Sequence, residues 1–148
     1  MRTTAPALLL LSAAACATVP GGPPPPSRSL AAGTVSEAFA CGMRQVNELG
    51  YIVADADRAA GFIRADRDRT SFSESFFQGL ERYDQLTLTI YPREDGRTVL
   101  RVVSGGYEVE QRGENKGARV SHVGSDRART DVQAILEACG EPVADPVA

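Results

Sequence analysis

The stretch Leu86-Thr87-Leu88-Thr89-Ile90-Tyr91-Pro92-Arg93-Glu94-Asp95-Gly96-Arg97-Thr98-Val99-Leu100-Arg101-Val102-Val103 decides the fold. Leu86, Leu88 and Ile90 alternate with Thr87, Thr89 and Tyr91, the period of two that marks a half-buried strand. Asp95-Gly96 is a strong turn signal, and an apolar partner strand follows at 98–103. An antiparallel hairpin with one apolar face needs a cover, so the flanking segments must supply one.

Helical patterns stand on both sides. Val35, Ala38, Phe39, Gly42, Val46 and Leu49 share one face of a first helix running from Thr34 or Ser36 to Leu49, with Ser36 as its expected cap and Gly50 as its stop. Ala128, Val132, Ile135, Leu136 and Cys139 line the buried face of a closing helix over Asp126–Cys139, capped by Ser125 and stopped by Gly140. Between them, Tyr51-Ile52-Val53 and 61–65 form a hairpin across 57–60. A weaker final hairpin joins 106–111 to 118–123, and Gly105-Gly106 is read as a bend. The expected fold is α+β: a two-layer sandwich of four to six antiparallel strands with both helices on one face.

The N-terminal sixteen residues carry a different message. An Arg2-bearing start, the apolar run Ala7 to Leu11 and the small residues Ala13-Ala14-Ala15 before Cys16 make an export signal. With only about nine apolar-to-small residues before Cys16, it is too short to cross a bilayer, which takes roughly 20. The Ala13-Ala14-Ala15-Cys16 end resembles the signal of bacterial lipoproteins. That resemblance implies cleavage before Cys16, acylation of Cys16 with three chains, and a stable anchor, since each buried CH2 contributes about 0.8 kcal/mol. Ala17, where aspartate marks inner-membrane retention, points to the periplasmic face of the outer membrane. The same small residues also suit an ordinary secretory signal, which would leave the protein secreted and soluble.

With Cys16 acylated, Cys41 and Cys139 remain as a pair in an oxidising compartment. Cys41 flanks the stripe of the first helix and Cys139 lies on that of the last, so neighbouring helices bring them within disulfide reach. Two buried free thiols are the alternative.

The domain plan is therefore a signal peptide at 1–15, a lipidated cysteine and tether at 16–33, one domain at 34–141 and a frayed tail at 142–148. Pro20, Gly21, Gly22 and Pro23–Pro26 favour an extended chain. The seventeen residues Ala17–Gly33 reach roughly 50 Å at about 3.1 Å each.

Charge and motifs exclude several classes. Loss of Arg2 leaves 15 basic against 19 acidic residues, a net charge of −4, with no footprint for nucleic acid. His122 is the only histidine, and hydrolase elbows, phosphate loops and dinucleotide glycine patterns are absent. Asp55, Asp57, Asp66 and Asp68 fail calcium-loop spacing, because Ala59 holds the fifth position and glycine is displaced to Gly61. Ion pairs with Arg58, Arg64, Arg67 and Arg69 on a wet sheet face account for them. No enzyme activity, cofactor or metal is expected.

Residues 70–84 resist that bland reading. Phe72, Phe76, Phe77, Leu80 and Tyr83 fit one aromatic face of a short helix, with Ser71, Ser73, Glu74 and Ser75 on its wet side. Either this face closes an end of the core, or it is an exposed patch that docks a partner protein or apolar ligand. The expected function is a non-catalytic, lipid-anchored envelope protein that binds another protein. A carrier holding a lipid between helices and sheet, with 72–83 as its lid, is the alternative. The element order is similar in outline to the domains of BamC-type accessory lipoproteins, a likeness that transfers no residues.

Overall fold

The computed structural model describes residues 28–141; Cys16, most of the tether and the 142–148 tail lie outside the described residues. The element order is β1 (Arg28–Ala31), α1 (Val35–Glu48), β2 (Ile52–Asp57), β3 (Phe62–Asp68), a single π-helical turn (Glu74–Gln78), β4 (Leu80–Pro92), β5 (Thr98–Glu110), β6 (Arg119–Val123), α2 (Asp126–Cys139) and β7 (Gly140–Glu141). The chain is α+β with one antiparallel sheet of seven strands in the order β2-β3-β4-β5-β1-β7, and β6 also pairs with β5.

The hairpin of β4 and β5 is the spine. β4 and β5 pair without interruption from Leu80↔Glu110 to Pro92↔Thr98. Their tip is closed by Asp95, whose carboxylate accepts from the Arg97 N–H at 3.1 Å. Leu86, Leu88, Ile90, Leu100 and Val102 on one face join Ile63 and Ala65 of β3, Ala38, Phe39 and Val46 of α1, and Val132, Ile135, Leu136 and Cys139 of α2 in one buried cluster. Each fully buried aliphatic side chain contributes about 1.5–3 kcal/mol.

Four expectations are corrected. The sheet has seven strands rather than four to six. Two of them are too short for any alternation to show: β1 pairs with 98–101 of β5, and β7 pairs with β1. β1 falls inside the span read as tether, and it fills the edge of β5 that β6 leaves open, since β6 covers only 105–109. Secondly, Gly105-Gly106 is not a bend, because β5 runs straight through it. A Cβ on Gly106 would meet the His122 ring at 2.4 Å, so this glycine admits a ring rather than turning the chain.

Thirdly, α1 is capped by Thr34, not Ser36. The Thr34 hydroxyl accepts from the Glu37 N–H and the Glu37 carboxylate accepts from the Thr34 N–H at 2.7 Å, a reciprocal capping box. Finally, residues 70–84 are not one helix. Gly79, at φ 64°, ends the turn in the left-handed region, and Leu80 and Tyr83 belong to β4.

Candidate functional site

Three arrangements carry polar or aromatic side chains beyond what the core requires. The first sits where α2 meets the sheet. Arg67 and Asp84 occupy the same alternation as the buried aliphatics, so their side chains enter the core side of the sheet. Arg67 Nη1 donates to Asp131 Oδ2 at 2.7 Å and Nη2 to Asp84 Oδ2 at 3.2 Å. Its guanidinium lies over the Tyr51 ring at 4.3 Å, and the Tyr51 hydroxyl donates to Asp131 at 2.9 Å. Asp84 also accepts from the Ser125 hydroxyl at 2.7 Å and the Ser125 N–H at 3.1 Å. The wet-face reading of the arginines is thereby corrected for Arg67, and for Arg69, whose Nε lies 3.6 Å from the buried Asp84 carboxylate. It holds for Arg64, which pairs with Asp55 at 3.7 Å in the open.

Burial raises the Tyr51 phenol well above its ordinary range, and its bond to Asp131 adds to that. Burial also opposes ionisation of Asp84, but the Ser125 and Arg67 hydrogen bonds outweigh it and hold the carboxyl below the usual range. A carboxylate with a lowered folded-state pKa stabilises the fold above its unfolded value of about 3.9, and that contribution fades as pH falls through the lower folded value. Asp84→Asn is therefore expected to lose about 2 kcal/mol at pH 7. The gap to wild type should close below about pH 4 in denaturant titrations; a gap independent of pH would show that the charge of Asp84 is not what matters. Because these bonds join β3 and β4 to Asp131 of α2, this network is a clip between α2 and the sheet.

His122 leans over Gly106 and donates from Nδ1 to the Val123 carbonyl at 2.8 Å. Among the described residues its Nε2 has no partner, and no group of three or more His, Cys, Asp or Glu side chains is placed to hold a metal.

The second arrangement is the 71–78 turn. The Ser71 N–H and hydroxyl donate to Glu74 Oε2 at 2.9 and 2.7 Å, which holds the Glu74 carboxyl below its ordinary range. Glu74 in turn meets Arg82, whose Nε lies 2.7 Å from Glu108 on β5. The Gln111 N–H closes the base on the Gly79 carbonyl at 2.7 Å. On this pinned turn Phe72, Phe76 and Phe77 are 79%, 57% and 74% exposed, and their rings pack together: Phe72 stacks on Phe76 at 5.5 Å and Phe77 meets Phe76 edge-on at 5.1 Å. The five residues of the expected patch divide. Three phenylalanines stand together in solvent, Leu80 is half-buried in β4, and Tyr83 lies on the opposite face of the sheet from Leu80.

The third arrangement was not anticipated. On the sheet face away from the buried cluster, a cleft of about 310 Å³ is lined by Ile52, Ala54, Asp66, Asp68, Glu81, Tyr83, Tyr107, Val109 and Arg119. Tyr83 and Tyr107 are cross-strand partners with near-parallel rings 4.9 Å apart, and Arg119 lies over Tyr107 at 3.8 Å. Tyr83 donates to Glu81 at 3.0 Å and Tyr107 to Asp66 at 3.0 Å. Burial and the bond to Glu81 push the Tyr83 phenol up to about 12.

The expected cysteine pair is joined: Cys41 and Cys139 form a disulfide with Cα atoms 5.8 Å apart, linking the middle of α1 to the end of α2. Among the described residues no helix is long and apolar enough to cross a membrane. No known protein family matches the chain, and no curated protein matches it either.

Proposed function

We propose that the chain is a lipid-anchored envelope protein that presents the Phe72–Phe76–Phe77 turn to a protein partner. The observation that carries the reading is the exposure of three mutually packed phenylalanines on a turn held rigid by Glu74, Arg82 and Gly79. Exposed apolar clusters of this kind mark interaction sites, and pre-ordering the turn lowers the entropy lost on docking. The Cys41–Cys139 disulfide supports an oxidising compartment. Acylation at Cys16 supplies the anchor.

The domain itself reads as a two-layer sandwich with both helices over one face. The shared alternation of Ile63, Ala65, Leu86, Leu88, Leu100 and Val102 in the cluster with α1 and α2 supports this. That layer also speaks against the carrier alternative. A methyl on Gly42 of α1 would already sit 2.9 Å from Leu88 and 3.3 Å from Ile63, so side chains fill the space a lipid would need.

A photo-crosslinking residue at position 77 is expected to give a discrete protein adduct in cells, and one at exposed Glu94 in the β4–β5 turn is not. Phe76→Ser/Phe77→Ser is expected to stay within about 0.5 kcal/mol of wild-type stability while losing the adduct formed from position 72. If the variant unfolds, the rings are structural; if only lipid adducts form, they face the bilayer. Either result removes the docking reading.

A further inference from the structure

We propose that the cleft on the helix-free face of the sheet binds a guanidinium, or a similarly flat organic cation on an apolar stem, against the open face of Tyr83. The register places Asp68, Tyr83 and Tyr107 side by side on β3, β4 and β5. The two rings are only 16° from parallel at 4.9 Å, so they stack along the direction that runs across the strands. Arg119 from β6 closes the Tyr107 end of this stack at 3.8 Å. The opposite end is the outer face of Tyr83, which looks toward β3, and among the described residues no cation covers it. The chain has thus built a guanidinium-on-tyrosine contact at one end and left its counterpart open at the other.

The open end is surrounded by negative charge. Asp66, Asp68 and Glu81 line the cleft, and among the described residues that line it Arg119 is the one basic side chain. Among the described residues Asp68 uses only Oδ1, on the Thr70 N–H at 2.7 Å, and Glu81 only Oε2, on the Tyr83 hydroxyl. The remaining oxygen of each is an acceptor for the forked N–H donors of a guanidinium. A flat cation over an aromatic face gains the ring's quadrupole attraction as well. Ile52, 76% exposed on β2 beside the cleft, supplies apolar surface for the stem. An anion would meet the carboxylates, and a purely apolar ligand would bury them unpaired.

Two sources present this chemistry: a free small cation, or an arginine side chain of a peptide. The test is an amide NMR titration of the full-length ¹⁵N-labelled chain in detergent with n-butylguanidinium, with its neutral isostere n-butylurea, and with a blocked Gly-Arg-Gly peptide. Butylguanidinium is expected to give saturable shifts confined to residues 66–68, 81–83 and 52–54, and butylurea none. Asp68→Asn/Glu81→Gln is expected to weaken binding about tenfold or more, with amide shifts elsewhere unchanged. Peptide binding as tight as that of butylguanidinium assigns the site to a partner's arginine; peptide binding at least tenfold weaker assigns it to a free cation. Absence of saturable cleft shifts from either cation, or equal shifts from butylurea, overturns the proposal without recourse to any variant.

Discussion

Arg67→Met is expected to destabilise the domain by about 3–5 kcal/mol at pH 7, the range for breaking a buried ion pair by removing one partner. The Arg67 side chain is 11% exposed and stands between Asp84 on β4 and Asp131 on α2, so its loss leaves two carboxylates facing one buried space. Asp131 Oδ2 would retain the Tyr51 hydroxyl, and Asp84 would retain Ser125 and the longer 3.6 Å contact with Arg69. Methionine keeps much of the stem over Tyr51, so the measured loss reports charge more than volume. Lysine carries the charge without the fork and cannot serve both acids at once, so Arg67→Lys should fall between wild type and Arg67→Met. Adding Asp131→Asn to Arg67→Met should recover part of the loss, because the second change removes a charge that the first left unpaired. Urea titration measures all four forms. A loss below about 1 kcal/mol for Arg67→Met would place these acids in the regime of solvent-screened surface pairs.

Removing the disulfide is the other large effect. Cys41 and Cys139 are 98 residues apart, and closing a loop of about that length is worth up to about 4.7 kcal/mol on the chain-entropy account, with less realised in practice. Cys41→Ala/Cys139→Ala is therefore expected to lose about 3–4 kcal/mol. At roughly 4–8 °C per kcal/mol for a domain near this size, the melting midpoint should fall by about 12–32 °C. Wild type in reductant should follow the variant, and the variant itself should ignore reductant. Equal midpoints for wild type with and without reductant would contradict the bridge as a staple of the fold.

These two sites differ in how far the sequence exposed them. The disulfide was legible because each cysteine sits on or beside a helical stripe whose period and caps are local: α2 runs over Asp126–Cys139 with Ser125 as its cap, as read from the chain. The β4–β5 hairpin was legible for the same reason, a period of two on either side of Asp95-Gly96. The Arg67 clip is not local, because its members come from β3, β4, α2 and Tyr51, the residue just before β2. A signal existed nonetheless. Arg67 shares the alternation of Ile63 and Ala65, and Asp84 that of Leu86 and Leu88, so charged residues on a buried phase marked a core-side pair.

The tyrosine cleft was hidden by two misread elements, the first being the helix over 70–84 that took Tyr83 out of β4. With Gly105-Gly106 taken as a bend, nothing aligned the far half of β5 with β4. Once the strand runs through, counting back from Pro92↔Thr98 sets Tyr83 opposite Tyr107. The phenylalanine turn was legible as unusual but not as exposed. Burial depends on what packs over a segment, and local spacing cannot report that.

The most direct test of the account is the intact mass of the protein extracted from bacterial membranes, taken before and after reduction. The account predicts a chain beginning at Cys16, heavier than its sequence by three acyl chains, that gains two hydrogens on reduction as Cys41 and Cys139 separate. A chain that keeps residues 1–15, one that begins at or near Cys16 without lipid, or one whose mass is unchanged by reductant would contradict it.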